Sequence, residues 1–105
     1  MKKRLKPLAK KEIIRILGKH RDVLLKYKVK KIGLFGSFAR GEQSLKSDID
    51  LFVDFEEPSF DNFMGLSYFL EELFSRKVEI LTPAGVESIR ISHVKEEIQR
   101  SIAYV

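Results

Sequence analysis

Apolar and polar positions alternate along this chain with two distinct periods, and the changes of period mark out its elements. From Leu8 to about Tyr27, apolar side chains recur three and four positions apart. Ile13, Ile14, Leu17, Leu24 and Leu25 fall on one side, and Lys10, Lys11, Lys19, Arg21 and Lys26 fall mostly on the other, which predicts an amphipathic helix with Gly18 as its point of interruption. The run Lys31-Ile32-Gly33-Leu34-Phe35 suits a short buried strand, and a second strand begins near Asp48. Period two in this second strand places Asp48, Asp50 and Phe52 on one face and Ile49, Leu51, Val53 and Phe55 on the other. Between the strands lies a Gly36-Ser37 turn, then a single helical turn from Phe38 to Arg40 with Gly41 as its left-handed cap, then a loop from Glu42 to Ser47 without periodicity.

Helical spacing returns from Phe60 to Phe74 through Phe63, Leu66, Leu70, Leu73 and Phe74, with Ser59 or Asp61 as the capping residue. Arg76 to Pro83 reads as a third strand stopped by its proline, with Val78 and Ile80 on one face and Lys77 and Glu79 on the other. Val86 to about Ile102 reads as a closing helix, after which Ala103-Tyr104-Val105 adds a short extended end to the sheet or frays. Strands alternating with helices predict an α/β fold, a small mixed β-sheet with helices packed on one face. The other face is left open, and the chain, residues 1–105, makes one domain.

The pattern poses a chemical question at Asp48-Ile49-Asp50. Acidic residues are poor strand formers and like charges repel, so two carboxylates on one strand face need a neutralising partner. A divalent cation answers that need, since magnesium takes oxygen ligands and binds through one or two carboxylates together with substrate phosphates. If Val78 and Ile80 face the helices, Glu79 comes to the same side as Asp48 and Asp50 and becomes the third carboxylate, against the alternative of pairing with Lys77 or Arg76. Backbone N–H groups at the Gly36-Ser37 turn, with the Ser37 hydroxyl, suit the terminal phosphates of a nucleotide.

Composition narrows the setting. With no Cys, the chain has no disulfide, thiolate metal site or cysteine nucleophile, which fits a cytoplasmic location. The apolar segment after the basic start, Ile13 to Leu17, is too short for a secretory or transmembrane segment, so no membrane partner is expected. The net charge of +5 is unevenly spread: residues 1–31 hold 13 Lys and Arg against 2 acids. That basic stretch reads equally as a solvated helix face or as a surface for a nucleotide, RNA or an acidic protein partner. Lys28, Lys30 and Lys31 lead into the first strand and are candidates to approach a triphosphate, as are Arg40 and Lys46, with pairing to a nearby acid the alternative for Arg40. His20 reads as a helix-surface residue.

The Gly-Ser pair of Gly36-Ser37-Phe38-Ala39-Arg40-Gly41, followed after a fixed gap by Ser47-Asp48-Ile49-Asp50-Leu51, resembles the signature of the DNA polymerase beta-like nucleotidyltransferases. The fuller wording GSFARG and SDIDLFV is similar to the smallest members of that superfamily, the minimal nucleotidyltransferases of the MntA type. The resemblance implies catalytic and metal-binding roles for Asp48, Asp50 and Glu79, nucleotide binding at Gly36 and Ser37, two Mg2+ ions, and ATP as substrate. It further implies an antitoxin that transfers AMP to a tyrosine of a partner HEPN-domain ribonuclease toxin. The family more often has Asp where this chain has Glu79. One added methylene moves a carboxylate by about an ångström, a displacement that can cost roughly a hundredfold in rate. Three alternatives follow: an antitoxin that acts by binding alone, a nucleotidyltransferase for a small molecule, or one that tails RNA held on the basic first helix.

Overall fold

In the computed structural model, residues 8–41, 48–89 and 92–105 are described, the side chains of 92–94 excepted. The order of elements is α1 (Lys10–Lys19), α2 (Arg21–Lys26), β1 (Val29–Phe35), α3 (Gly36–Arg40), β2 (Ile49–Phe55), α4 (Phe60–Phe74), β3 (Val78–Leu81), α5 (Pro83–Glu87), α6 (Ser92–Ser101) and β4 (Ala103–Tyr104). The strands form one mixed sheet in the order β3-β2-β1-β4. β1 runs antiparallel to β2 and β4, whereas β2 and β3 are parallel and are joined through α4.

Register decides which side chains share a face. Ile32 lies opposite Val53 and Leu34 opposite Leu51, while Ile49 and Leu51 pair with Val78 and Ile80. These residues join Ile13 and Leu17 of α1, Leu24 of α2, and Leu66, Leu70 and Phe74 of α4 in one core. Ile49, Leu51 and Val53 are wholly buried. Each such side chain contributes about 1.5–3 kcal/mol of transfer free energy, so the aliphatic alternation of β2 fixes which face turns inward. On the second face Asp50 lies beside Glu79, Phe52 beside Leu81, and Gly33 beside Tyr104. That face is acidic where β2 meets β3. Toward β4 it is apolar, with Ile102 and Tyr104 lying where a side chain on Gly33 would stand.

The helix ends follow local chemistry. Ser59 caps α4, its Oγ accepting the Asn62 N–H at 3.1 Å, and Asp61 sits within the first turn. Glu71 reaches from α4 to accept the Val78 N–H at 3.2 Å, tying the helix to the start of β3. The first helical stretch breaks at His20 instead of Gly18. His20 leaves helical geometry at φ −111°, ψ 31°, and its ring meets Phe69 edge-on at 5.6 Å between centroids. The ring is half-buried and braces α1–α2 against α4, so His20 is more than a surface residue.

The closing helix also differs from its expected bounds. It begins at Pro83 and is two pieces, because Thr82 accepts the Gly85 N–H as a cap and Pro83 takes the first helical position, where its missing N–H costs nothing. β4 extends the sheet edge, with the Val105 N–H donated to the Ile32 carbonyl at 2.9 Å. Among the described residues, no helix is long and apolar enough to cross a membrane.

Candidate active site

The acidic end of the open face is built by three elements. β1 ends at Phe35, the register partner of Asp50, and the chain turns at once through Gly36 with φ +75°. Only glycine adopts that conformation freely, and a second constraint applies at the same position: a Cβ on Gly36 would collide with the Asp50 carboxylate. The absent side chain is therefore the space that Asp50 occupies. Phe38 is fully buried and anchors the short α3 that follows, with the guanidinium of Arg76 5.6 Å from its ring centroid. Gly41 closes α3 in the left-handed conformation at φ +71°, as its sequence position predicts.

Asp50 projects from β2, and the parallel register sets Glu79 of β3 directly beside it. Asp48 stands one residue before β2, two positions from Asp50, and is half-buried. The Asp50 carboxyl is raised to about 6, first by burial, then by the charge of Glu79 and a hydrogen bond with its carboxyl, then by the charge of Asp48; the Arg40 guanidinium opposes the rise. Burial and the neighbouring Glu79 carboxylate both favour the protonated form of Asp50. Glu79 is also 3.8 Å from the Lys77 ammonium, with both side chains exposed. Glu79 thus lies on the same side of the sheet as Asp50 and also pairs with Lys77.

The structure brings Gly36, Asp50 and Glu79 together, with Ser37 next in the turn and Asp48 close enough for its charge to act on Asp50. It separates the lysines from them. Lys31 and Lys30 sit toward the opposite end of β1, roughly 16 and 20 Å along the strand from Gly36 at about 3.3 Å per residue. Arg40 acts on Asp50 by its charge, the acid-pairing alternative. Lys46 and the loop from Glu42 to Ser47 lie outside the described residues. The sequence reading gives no role to Phe38, the anchor of the turn; its signal is a single large apolar residue inside a run of small and polar ones.

The donor set suits a hard divalent cation. Its acceptors are all carboxylate oxygens, and a bound cation would offset both the burial and the neighbouring charges that raise Asp50. Among the described residues, no three His, Cys, Asp or Glu side chains already converge as a metal cage. The fit is therefore to a shared site, in which one or two carboxylates leave positions for water and phosphate oxygens.

Comparison with known proteins agrees with this geometry. Residues 8–105 match the family model described as a nucleotidyltransferase domain. A Methanocaldococcus jannaschii protein, provisionally named a protein adenylyltransferase, is 46% identical over 98 residues, spanning 90% of this chain and 95% of that protein. The protein adenylyltransferase MntA of Thermococcus cleftensis is 36% identical over 100 residues, spanning 93% and 97%. Among solved structures, a protein provisionally described as a minimal nucleotidyltransferase superposes with a TM-score of 0.71 at 24% identity, over 90% of this chain and 94% of that one. A toxin–antitoxin complex crystallised with AMP-PNP matches with a TM-score of 0.62 at 21% identity, over 83% of this chain and 69% of that one. The glycine turn at the end of β1, the acids on β2 and β3 and the match along nearly the whole chain lead to one conclusion: this protein belongs to the nucleotidyltransferase domain family.

Proposed function

We propose that residues 1–105 act as a single Mg2+-dependent nucleotidyltransferase domain that moves AMP from ATP to a tyrosine of a partner HEPN-domain ribonuclease toxin, silencing it. The observation that carries this reading is the placement of Asp50 beside Glu79 and directly against the side-chain-free Gly36 turn, which sets carboxylates next to the backbone of a glycine-serine turn. The choice of a protein acceptor is supported by the relatives named as protein adenylyltransferases and by the likeness of fold to toxin–antitoxin complexes.

In this mechanism the backbone at Gly36 and the Ser37 hydroxyl hold the β- and γ-phosphates, which turns the α-phosphorus toward the open face. The tyrosine oxygen attacks the α-phosphorus, the bond to the β-phosphate oxygen breaks, and pyrophosphate leaves. Asp48 and Asp50 would hold magnesium, with Glu79 as a further ligand or as acceptor of the tyrosine proton. When bound, the ions supply charge neutralisation for the triphosphate and a lower pKa for the attacking hydroxyl.

A second reading, an antitoxin that acts by binding alone, draws on Glu79 standing where the family more often has Asp and on its pairing with Lys77. Pyrophosphate release separates the two. The chain is mixed with MgATP and the product of the adjacent gene, alongside Asp48→Asn and Asp50→Asn. Release that requires all components and disappears in both variants is the expected result. Unchanged release in both variants overturns the site assignment, and a stable complex that suppresses the partner without release favours binding alone.

A further inference from the structure

At the opposite edge of the sheet from the acids, a groove of about 400 Å3 opens between α2, the first half of β1 and the end of β4. Its lining shares no residue with the acidic site. Leu24, Leu25, Val29 and Ile32 supply an aliphatic surface, and Arg21, Lys30 and Lys31 supply three cations, with no acid among the lining residues. Leu25 is 69% exposed, an unusual cost for a leucine beside a pocket, and Tyr104 at the rim is 52% exposed.

The groove also runs along a strand edge that no described strand covers. β4 pairs only with Gly33 and Leu34, and the Val105 N–H reaches the Ile32 carbonyl. Before Ile32, no described strand lies on that side of β1. Lys30 is the extra residue of a bulge, since Val29 pairs with Phe55 and Lys31 with Asp54. Bulges and lysines are devices that keep an edge from pairing indiscriminately, while leaving it open to a strand of matched charge.

We propose that this groove is a docking site for an extended acidic–aliphatic peptide segment of a protein partner, added as a strand beside β1 in continuation of β4. Alternate side chains of an added strand point to opposite faces, so aliphatic residues enter between Leu25 and Val29 while acidic ones meet Arg21, Lys30 and Lys31. The chemistry favours peptide over RNA. Single-stranded RNA is held by aromatic stacking platforms, and here the one aromatic ring, Tyr104, already carries the Lys31 ammonium 5.8 Å from its centroid and an edge contact with Phe52 at 6.3 Å.

The test is a fluorescence-anisotropy titration of the full chain with a labelled acetyl-Glu-Val-Glu-Ile-Glu-Val-Glu-amide peptide, its Lys-for-Glu counterpart, and a uridine octanucleotide. Hydrogen exchange is followed in parallel. Binding of the acidic peptide alone is expected, with slowed exchange at the Lys30–Ile32 amides. Lys30→Glu with Lys31→Glu should weaken it at least about tenfold and Leu25→Asp several-fold; all three positions are exposed or edge sites whose replacement leaves the core intact. Asp50→Asn should bind as tightly as the unmodified chain, so failure of the nucleotidyl-transfer reading would leave this result standing. No binding of the acidic peptide, equal binding by the double charge reversal, or displacement by the octanucleotide would each overturn the proposal.

Discussion

Among the described residues, Asp50 is the side chain whose titration departs clearly from its usual range. Its carboxyl is raised to about 6 by burial, by Glu79 and by Asp48, in that order. The sign follows from proton counting. Between about pH 4 and 6 the folded state holds the Asp50 proton more tightly than the unfolded chain, so stability falls as pH rises through this window and the full cost is present above it. Asp50→Asn should therefore raise stability at neutral pH by about 1 kcal/mol, a figure reduced for the group's contact with water, while ending transfer. Thermal melts of both proteins at pH 4.5 and 7.5 check this, and a gain at the lower pH matching that at the higher one would refute the assignment. Magnesium should narrow the difference at pH 7.5 by neutralising the cluster in the unmodified chain. Gly36→Ala acts differently, forcing a Cβ into a positive-φ position and against the Asp50 carboxylate. It should cost about 1–3 kcal/mol and most of the ATP binding, read by urea unfolding and by calorimetry.

Elements set these residues in place, and their ends are the most readable features of the sequence. Ser59 caps α4, so Ser59→Ala should lower stability by about 1 kcal/mol in urea unfolding and leave pyrophosphate release unchanged. Leu70→Ala, on the buried face of the same helix, should cost about 2–5 kcal/mol, because a wholly buried side chain leaves a cavity behind. The alternation of β2 foretells its buried face and turns Asp50 to the other, because period two in a half-buried strand has one stable orientation. Gly41 as a left-handed cap is legible for a similar reason, since few residues adopt that conformation. What sequence leaves hidden depends on partners distant along the chain. The break at His20 needs Phe69, the brace at Glu71 needs the start of β3, and Lys30 and Lys31 prove remote from the site only when the direction of β1 is known. Thr82-Pro83 is ambiguous locally, because proline both stops a strand and starts a helix.

Across the whole molecule, charge is divided along the sheet. Acids gather where β2 meets β3, and the cation-lined groove lies at the β1–β4 edge. In the proposed account a tyrosine-bearing partner meets the acidic end while a separate segment lies along the basic edge, which gives the domain two points of attachment. The membership of the nucleotidyltransferase family and the relatives named as protein adenylyltransferases place the account's weight on what becomes of the partner. The most direct measurement is the intact mass of the adjacent gene's product after incubation with this protein, magnesium and ATP. The account predicts the addition of one or more AMP units on a tyrosine, absent with Asp48→Asn and with Asp50→Asn. An unmodified partner, or AMP added equally by both variants, would contradict it.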